Sequence, residues 1–303
     1  MKPKKKVDIK GSDHKNKGIM LVIDGMSDFH RHYWKMAKIL GPTVAGFFGM
    51  IRGVFSYRKM AEDVRIVWEG NSTLRKNLNV LYKVDRKRME GNFYEQLNDT
   101  QEFLSHFFKQ YMVKEYESDD MCSTIAVKRS MKEKQTIIAT GDGDLHQIIN
   151  EYINIYHPAK KEMFTKNDVQ FKEVDNPLKL LGLWALEGDS SDNISGIKRL
   201  KHRDQIAKQY YPSYDQLLLG DLEFEHYAQI FIDRILEDKN KIISINDMAK
   251  VKGNEDLIYN NMDLIRLREV PKENYTKIEK KGDPKALIKK YGCEKSLSKY
   301  LEE

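Results

Sequence analysis

Short apolar runs alternate with longer stretches of helical periodicity through the first half of the chain. Ile19–Ile23, Arg65–Trp68, Thr136–Ala139 and Ile153–Tyr156 are rich in β-formers and short enough for buried strands. Between them, Ser27–Ile39, Val44–Met60, Asn92–Met112 and Asp120–Lys132 carry apolar residues at helical spacing. In the third of these, Phe93, Leu97, Leu104, Phe107, Phe108 and Tyr111 form a stripe that reads as a core-facing surface, not a cofactor box. Such alternation predicts an α/β fold: a central, mostly parallel sheet with helices on both faces. From about Asn176 strand signals fade. Lys179–Glu187, His202–Tyr210, Glu223–Asp238 and Pro284–Tyr291 then predict amphipathic helices. The expected organisation is a disordered basic tail over 1–17, an α/β core over 18–175, and a smaller helical region over 176–303 packed on that core.

One connection is unusual. The stretch from Arg75 to Arg88 is basic, has few turn residues and is long for a link between strand and helix. It reads as a mobile, partly helical excursion over the ends of the strands.

Composition narrows the function classes. At 303 residues, 40% of them hydrophobic, the chain suits one large domain or two closely packed ones. Only Cys122 and Cys293 are present, without a C-x-x-C pair, so neither a disulfide scaffold nor a zinc site is expected; a reducing cytoplasm is. No apolar run approaches the roughly 20 residues of a membrane span. The start, Met1-Lys-Pro-Lys-Lys-Lys, lacks the apolar segment of a secretory signal. Its lysines fit a solvated tail better than a nuclear address or a nucleic-acid-binding arm.

The chemistry is carried by acids. Asp24 ends the first apolar run, and Glu117-Ser-Asp119-Asp120 opens a helix. Asp142-Gly-Asp144 follows the third strand, and Gly188-Asp189-Ser-Ser-Asp192-Asn193 follows an apolar helix. Taken singly, each has an ordinary explanation: a helix cap at Asp24, a cap at Ser118 or Asp119, an Asp-Gly turn, a capped loop. Taken together they are four acidic groups at element ends. If they share one sheet edge they repel unless divalent cations hold them. Gathering acids in one pocket also leaves the remaining surface more basic than the net charge of +6, from 52 Lys+Arg against 46 Asp+Glu. That favours a polyanionic partner. Phosphodiester hydrolysis fits, because hard cations on oxygen ligands activate water and offset charge on phosphate oxygens.

At these residues the chain resembles the 5′ nuclease (flap endonuclease) family, which includes phage 5′-3′ exonucleases and the 5′ nuclease domain of bacterial DNA polymerase I. Leu21-Val-Ile-Asp24-Gly25, Glu117-x-Asp119-Asp120, Thr140-Gly-Asp142-Gly-Asp144 and Gly188-Asp189-x-x-Asp192-Asn193-x-x-Gly196 follow that family's order over roughly residues 19–200. The resemblance implies a PIN-like 5′ nuclease core with two or more Mg2+ ions, Mn2+ substituting. Asp24, Glu117, Asp119, Asp120 and Asp142 would serve mainly one ion, and Asp144, Asp189 and Asp192 the second. Tyr82-Lys83-x-x-Arg86 is similar to a motif of the family's helical arch, here at about 71–96, which implies catalytic roles for Lys83 and Arg86 at the scissile phosphate. Arg31, Arg75, Tyr82, Lys87, Lys198, Arg199, Lys201 and Arg203 are the expected nucleic-acid contacts, the last four in a helical DNA-binding region.

The chain departs from the family twice. Glu69 stands where an aspartate is usual, which suggests action through water. Gly196-Ile-Lys-Arg-Leu-Lys-His-Arg lacks the later glycine of the usual DNA-clamp turn. The implied enzyme is a stand-alone 5′-3′ exonuclease or flap endonuclease acting on branched or 5′-ended DNA and RNA–DNA, as in primer removal. It would be a monomer in a bacterial or phage-infected cytoplasm, with a replication clamp or single-strand-binding protein as partner. The rival readings are a PIN-type ribonuclease and a non-catalytic, structure-specific DNA-binding protein.

Overall fold

Five strands pair in parallel and two antiparallel strands close the edges. In this computed structural model, which describes residues 18–86, 89, 91–168, 177, 179–212, 218, 220–238 and 243–302, they are β1 (Met20–Asp24), β2 (Asp63–Ser72), β3 (Lys109–Glu115), β4 (Thr136–Ala139), β5 (Ile153–His157), β6 (Glu162–Phe164) and, after a two-strand hairpin of β7 (Gly188–Asp189) and β8 (Ile194–Ser195), β9 (Tyr275–Lys277). The order is β6-β5-β4-β1-β2-β3-β9, with β6 and β9 antiparallel to their neighbours. The tail expected over 1–17 lies outside the described residues.

The pleat of β1 shows how the sequence makes a sandwich. All five of its residues are buried, and alternate ones serve opposite layers. Leu21 and Ile23 join α1 (Gly25–Leu40), α2 (Ala45–Tyr57) and the helix α4 (Phe93–Ser105) in one core. Met20 and Val22 pack instead with α5 (Ser118–Ser130), Val67, Val113 and Ile138 on the other face. Between β2 and α4 runs the short α3 (Leu74–Leu78).

A third core forms from α6 (Lys179–Glu187), α7 (Arg203–Tyr210), α8 (Asp221–Glu237), α9 (Ile245–Lys252) and α10 (Glu255–Ile265), centred on residues such as Leu183, Phe231 and Met262. The chain then returns to the sheet. β9 pairs with β3, and α11 (Pro284–Lys290) and α12 (Glu294–Leu297) place Leu287, Ile288 and Leu297 in the first core. The second half is therefore not helical throughout.

The expected helix Asn92–Met112 needs correction. It ends at Ser105, and Lys109–Glu115 is a strand. Phe103 and Leu104 are buried in the helix, whereas Phe107 and Phe108 pack on Phe55 from the turn beyond it. The spacing of Phe107, Phe108 and Tyr111 fits a helical stripe. The alternation of Tyr111 and Val113 fits a strand equally well, and pairing with β2 decides between them. Among the described residues no single helix is long and apolar enough to cross a membrane.

Candidate active site at the carboxyl edge of the sheet

The direction of winding reverses between β1 and β4, since β2 and β3 lie on one side of the pair and β5 on the other. In such sheets the crevice beyond the strand ends at this point is the natural ligand site. A cavity of about 1180 Å³ opens there, lined by the carboxylates of Asp24, Glu69, Glu117, Asp119, Asp142, Asp144, Glu187 and Asp189. They come from the ends of β1, β2 and β4, the start of α5, the end of α6 and the hairpin β7–β8.

Asp24 is 3% exposed and fixed on both oxygens. Its Oδ1 accepts from the Ser27 amide (3.2 Å), capping α1, and from Ser118 Oγ (3.0 Å); its Oδ2 accepts from Thr140 Oγ1 (3.1 Å). Burial, and then repulsion from Asp142, push its pKa up to about 7. The sign of the consequence is definite. Between the ordinary value of 3.8 and about 7 the unfolded chain ionises Asp24 while the folded one does not. Thermal unfolding in chelator is therefore expected to show Asp24's share of stability lost as pH rises through that window, with no further loss from Asp24 above it. Asp24→Asn should flatten the slope; an unchanged slope would refute the assignment.

Three more acids on the cavity wall are shifted in the same direction. Burial and Asp142 raise the Asp144 pKa, burial and Asp120 raise that of Asp119, and burial and Glu117 raise that of Glu69. The Asp142–Asp144 turn is self-braced: the Asp142 amide donates to Thr140 Oγ1 (3.0 Å) and the Asp144 amide to Asp142 Oδ1 (2.9 Å). Glu69 faces the cavity, with Ser72 Oγ donating to its Oε1 (2.7 Å). In the hairpin, Asp189 Oδ1 accepts from the Ser191 amide (2.8 Å) and hydroxyl (2.7 Å). Gly188 has φ of 75°, and a side chain there would strike the backbone of Ile194 and Gly196. That close approach accounts for glycine at both ends of the motif.

Asp120 departs from the sequence reading. It is fully buried away from the cavity, and Arg75 grips both its oxygens (2.6 and 2.9 Å). It also accepts from the amides of Glu117 (3.2 Å) and Arg268 (2.9 Å). Nor is Arg75 a surface contact for nucleic acid. It is 4% exposed, lies 3.3 Å from Glu117, and donates to the carbonyls of Leu264 (2.8 Å) and Arg266 (3.0 Å). It is a strut joining α3, the acidic start of α5 and the segment after α10. Arg75→Ala leaves buried Asp120 unpaired, so a loss of about 3–5 kcal/mol in urea unfolding is expected. A loss below about 1 kcal/mol would contradict the strut.

Tyr82 is likewise internal. It is 4% exposed, with its hydroxyl 3.1 Å from Glu117 and 3.2 Å from Asp192. Asp192 is not on the cavity wall; it pairs with Lys83 (3.6 Å) and Arg86. Lys83 and Arg86 do line the cavity, Lys83 Nζ donating to Glu117 Oε1 (2.7 Å). Burial opposes the charge on Glu117, yet Arg75 and Lys83 hold its pKa below the ordinary value. Arg31 also lines the cavity and is paired with Asp28, which accepts a hydrogen bond from Tyr57. Lys198, Arg199 and Lys201 are exposed on the loop after β8, and Arg203 is half-buried, donating to the Ile197 carbonyl; none of the four lines the cavity. Lys87 lies outside the described residues.

Sequence reasoning missed Glu187 on the cavity wall, and the hydroxyls of Ser118 and Thr140 that orient Asp24. Thr140 carried a usable signal, as the residue just beyond a strand and two before an acid. Among the described residues no group of three His, Cys, Asp or Glu side chains is arranged to hold one metal ion. A hard cation that keeps several waters takes only one or two carboxylates directly. Eight carboxylates around one cavity, with neither cysteine on its wall, suit such an ion better than a soft one.

A family model described as the 5′-3′ exonuclease N-terminal resolvase-like domain matches residues 19–173. A 5′-3′ exonuclease of Buchnera aphidicola subsp. Schizaphis graminum is 24% identical over 189 residues, 60% of this chain. The match spans 66% of that relative's length, just under two thirds. A 5′-3′ exonuclease of Aquifex aeolicus is 25% identical over 261 residues, 82% of this chain and 90% of the relative. Among solved structures, the bacteriophage T5 flap endonuclease in a pseudo-enzyme–product complex with DNA and metal ions has a TM-score of 0.64 at 17% identity. It covers 94% of this chain and 97% of that one, a likeness of fold.

Proposed function

The chain belongs to the 5′-3′ exonuclease family, and from that premise we propose that it is a divalent-metal-dependent nuclease cutting at 5′ ends and 5′ flaps of DNA and RNA–DNA. The observation that carries this is the convergence of eight carboxylates on one cavity at the sheet's switch point, with Lys83 and Arg86 on the same wall. Asp24, Glu117, Asp119 and Asp142 would hold one ion of the magnesium type, manganese substituting, and Asp144 and Asp189 a second. Bound there, such ions supply an activated water and offset charge on the phosphate and the leaving oxygen.

The protein's own residues set the geometry. Ser118 and Thr140 keep Asp24 in a single orientation, and the Asp142 carboxylate is tied into its turn by the Asp144 amide. Asp120 supports the site through Arg75 instead of facing it. Lys83 exchanges its bond to Glu117 for a phosphate oxygen when substrate enters, and Arg86 neutralises the next phosphate. Asp192 holds both cations at the rim until then. The exposed Lys198, Arg199 and Lys201 grip duplex backbone by charge, so affinity should fall steeply with salt. Removal of primers during replication is the role this activity fits.

The hairpin of Gly188–Ser195 and the Lys83–Arg86 rim favour this reading over a PIN-type ribonuclease. Incubation with magnesium of a labelled 5′-flapped duplex and of plain single-stranded RNA tests it. Cleavage mapping to the flap junction is expected. Degradation of the RNA with an intact flap would instead indicate the ribonuclease. An intact flap, nick and gap with both magnesium and manganese would indicate a DNA-binding protein without catalysis.

A further inference from the structure

The opposite end of the sheet carries a second cavity, of about 270 Å³, whose electrostatics are the reverse of the first. It lies where β1 and β2 begin. Met20 on its wall and Asp24 on the carboxylate edge lie four steps apart along β1, roughly 13 Å at the rise of an extended strand. Five of its lining residues are cations and none is an acid. Two of the five are already paired, Arg65 with Asp63 (3.2 Å) and Lys128 with Glu269 (2.7 Å). The other three, Arg129, Lys132 and Lys134, have no carboxylate partner among the described residues. Arg129 is anchored only to neutral groups, Thr136 Oγ1 (3.1 Å) and the carbonyls of Gly18 (2.8 Å) and Gln135 (3.1 Å). Burial, and then repulsion from Arg65, lower its pKa against a smaller attraction from Asp63, which is itself paired with Arg65.

Clustered cations usually spread apart in solvent. Here Arg129 is anchored at the wall and the exposed Lys132 and Lys134 rim a concavity that no carboxylate lines, which favours an anionic guest. The remaining wall says more about that guest. Tyr111 and Tyr275, brought together by the pairing of β3 with β9, stand edge to face at 5.8 Å, beside the apolar side chains of Met20 and Met121. An inorganic anion would leave that wall unused. A planar ring attached to a phosphate would use both halves, the ring on tyrosine and thioether, the phosphate on the cations.

We propose that this cavity is a non-catalytic binding site for a phosphate monoester carrying a planar ring, a free 5′-mononucleotide. The proposal does not depend on the nuclease reading, because none of the carboxylates of the first cavity lines the second.

Calorimetric titration of the full chain in chelator tests it, with adenosine 5′-monophosphate, inorganic phosphate and adenosine as probes. The nucleotide is expected to bind about tenfold more tightly than either fragment. Lys132 and Lys134 are exposed, so Lys132→Ala with Lys134→Ala should fold normally. That double variant should weaken nucleotide binding about tenfold while leaving the flap-cleavage rate unaltered. Tyr275→Ala should weaken the nucleotide but not phosphate. Equal affinity of the wild type for nucleotide and phosphate would overturn the proposal, as would unchanged nucleotide affinity in the lysine double variant. Absence of saturable nucleotide binding would do the same. Loss of duplex affinity in the double variant without loss of nucleotide binding would make the face a nucleic-acid contact instead.

Discussion

Replacing Asp142 and Asp144 together by asparagine is expected to lower 5′-flap cleavage by at least about a thousandfold and to leave duplex affinity within about twofold. The two residues share one turn at the end of β4, on the cavity wall. Asparagine keeps the shape and the acceptor oxygen but removes the charge that would hold a cation. Removing negative charge should, if anything, ease the approach of a polyanion. The same double variant carries a second readout. Burial and Asp142 hold the Asp144 pKa above its ordinary value, so above that ordinary value folding carries a cost at this acid that the unfolded chain does not. In chelator the variant should therefore melt about 2–4 °C higher than the parent. Loss of activity with a gain in stability is the signature of a site built for function, and loss of both would point to damage to the fold. Wild-type cleavage would end the metal-site assignment.

Lys83→Ala is expected to slow single-turnover cleavage by about 10²–10³-fold with less than about a threefold change in affinity. Lys83 is the cation best placed to follow a reacting phosphate: it lines the cavity and its Nζ rests on Glu117 at 2.7 Å. Its partners Glu117 and Asp192 keep it pointed at the site, so a substrate phosphate only has to compete for a charge already in position. On the proposed reading, duplex affinity rests mainly on exposed basic residues such as Lys198, Arg199 and Lys201, so the effect should fall on the rate. Lys83→Arg keeps a cation and should recover part of the loss. A rate unaltered in Lys83→Ala would remove Lys83 from the chemistry.

The main features of the site were legible because they are local. Asp24 and Asp142 follow short apolar runs that read as buried strands, and in a parallel sheet their carboxyl ends share one edge. Burial partners were not legible. Arg75 and Lys83 look alike in the sequence, both basic and both in the long connection after β2. One is sealed against Asp120 and backbone carbonyls that lie 189 and 191 residues away, and the other stays at the cavity rim. Asp120 and Asp119 are adjacent, yet helical rotation turns only Asp119 to the cavity. β9 was invisible for a related reason: three residues paired to an edge strand leave almost no periodicity.

The most direct measurement is an anomalous-scattering map from crystals of the protein soaked in manganese. The account predicts peaks about 2.0–2.5 Å from carboxylate oxygens of Asp24, Asp142, Asp144 or their neighbours on the same wall, and their loss in the Asp142→Asn, Asp144→Asn protein. Saturating manganese that leaves this edge of the sheet without a peak, or that binds only elsewhere, would contradict it.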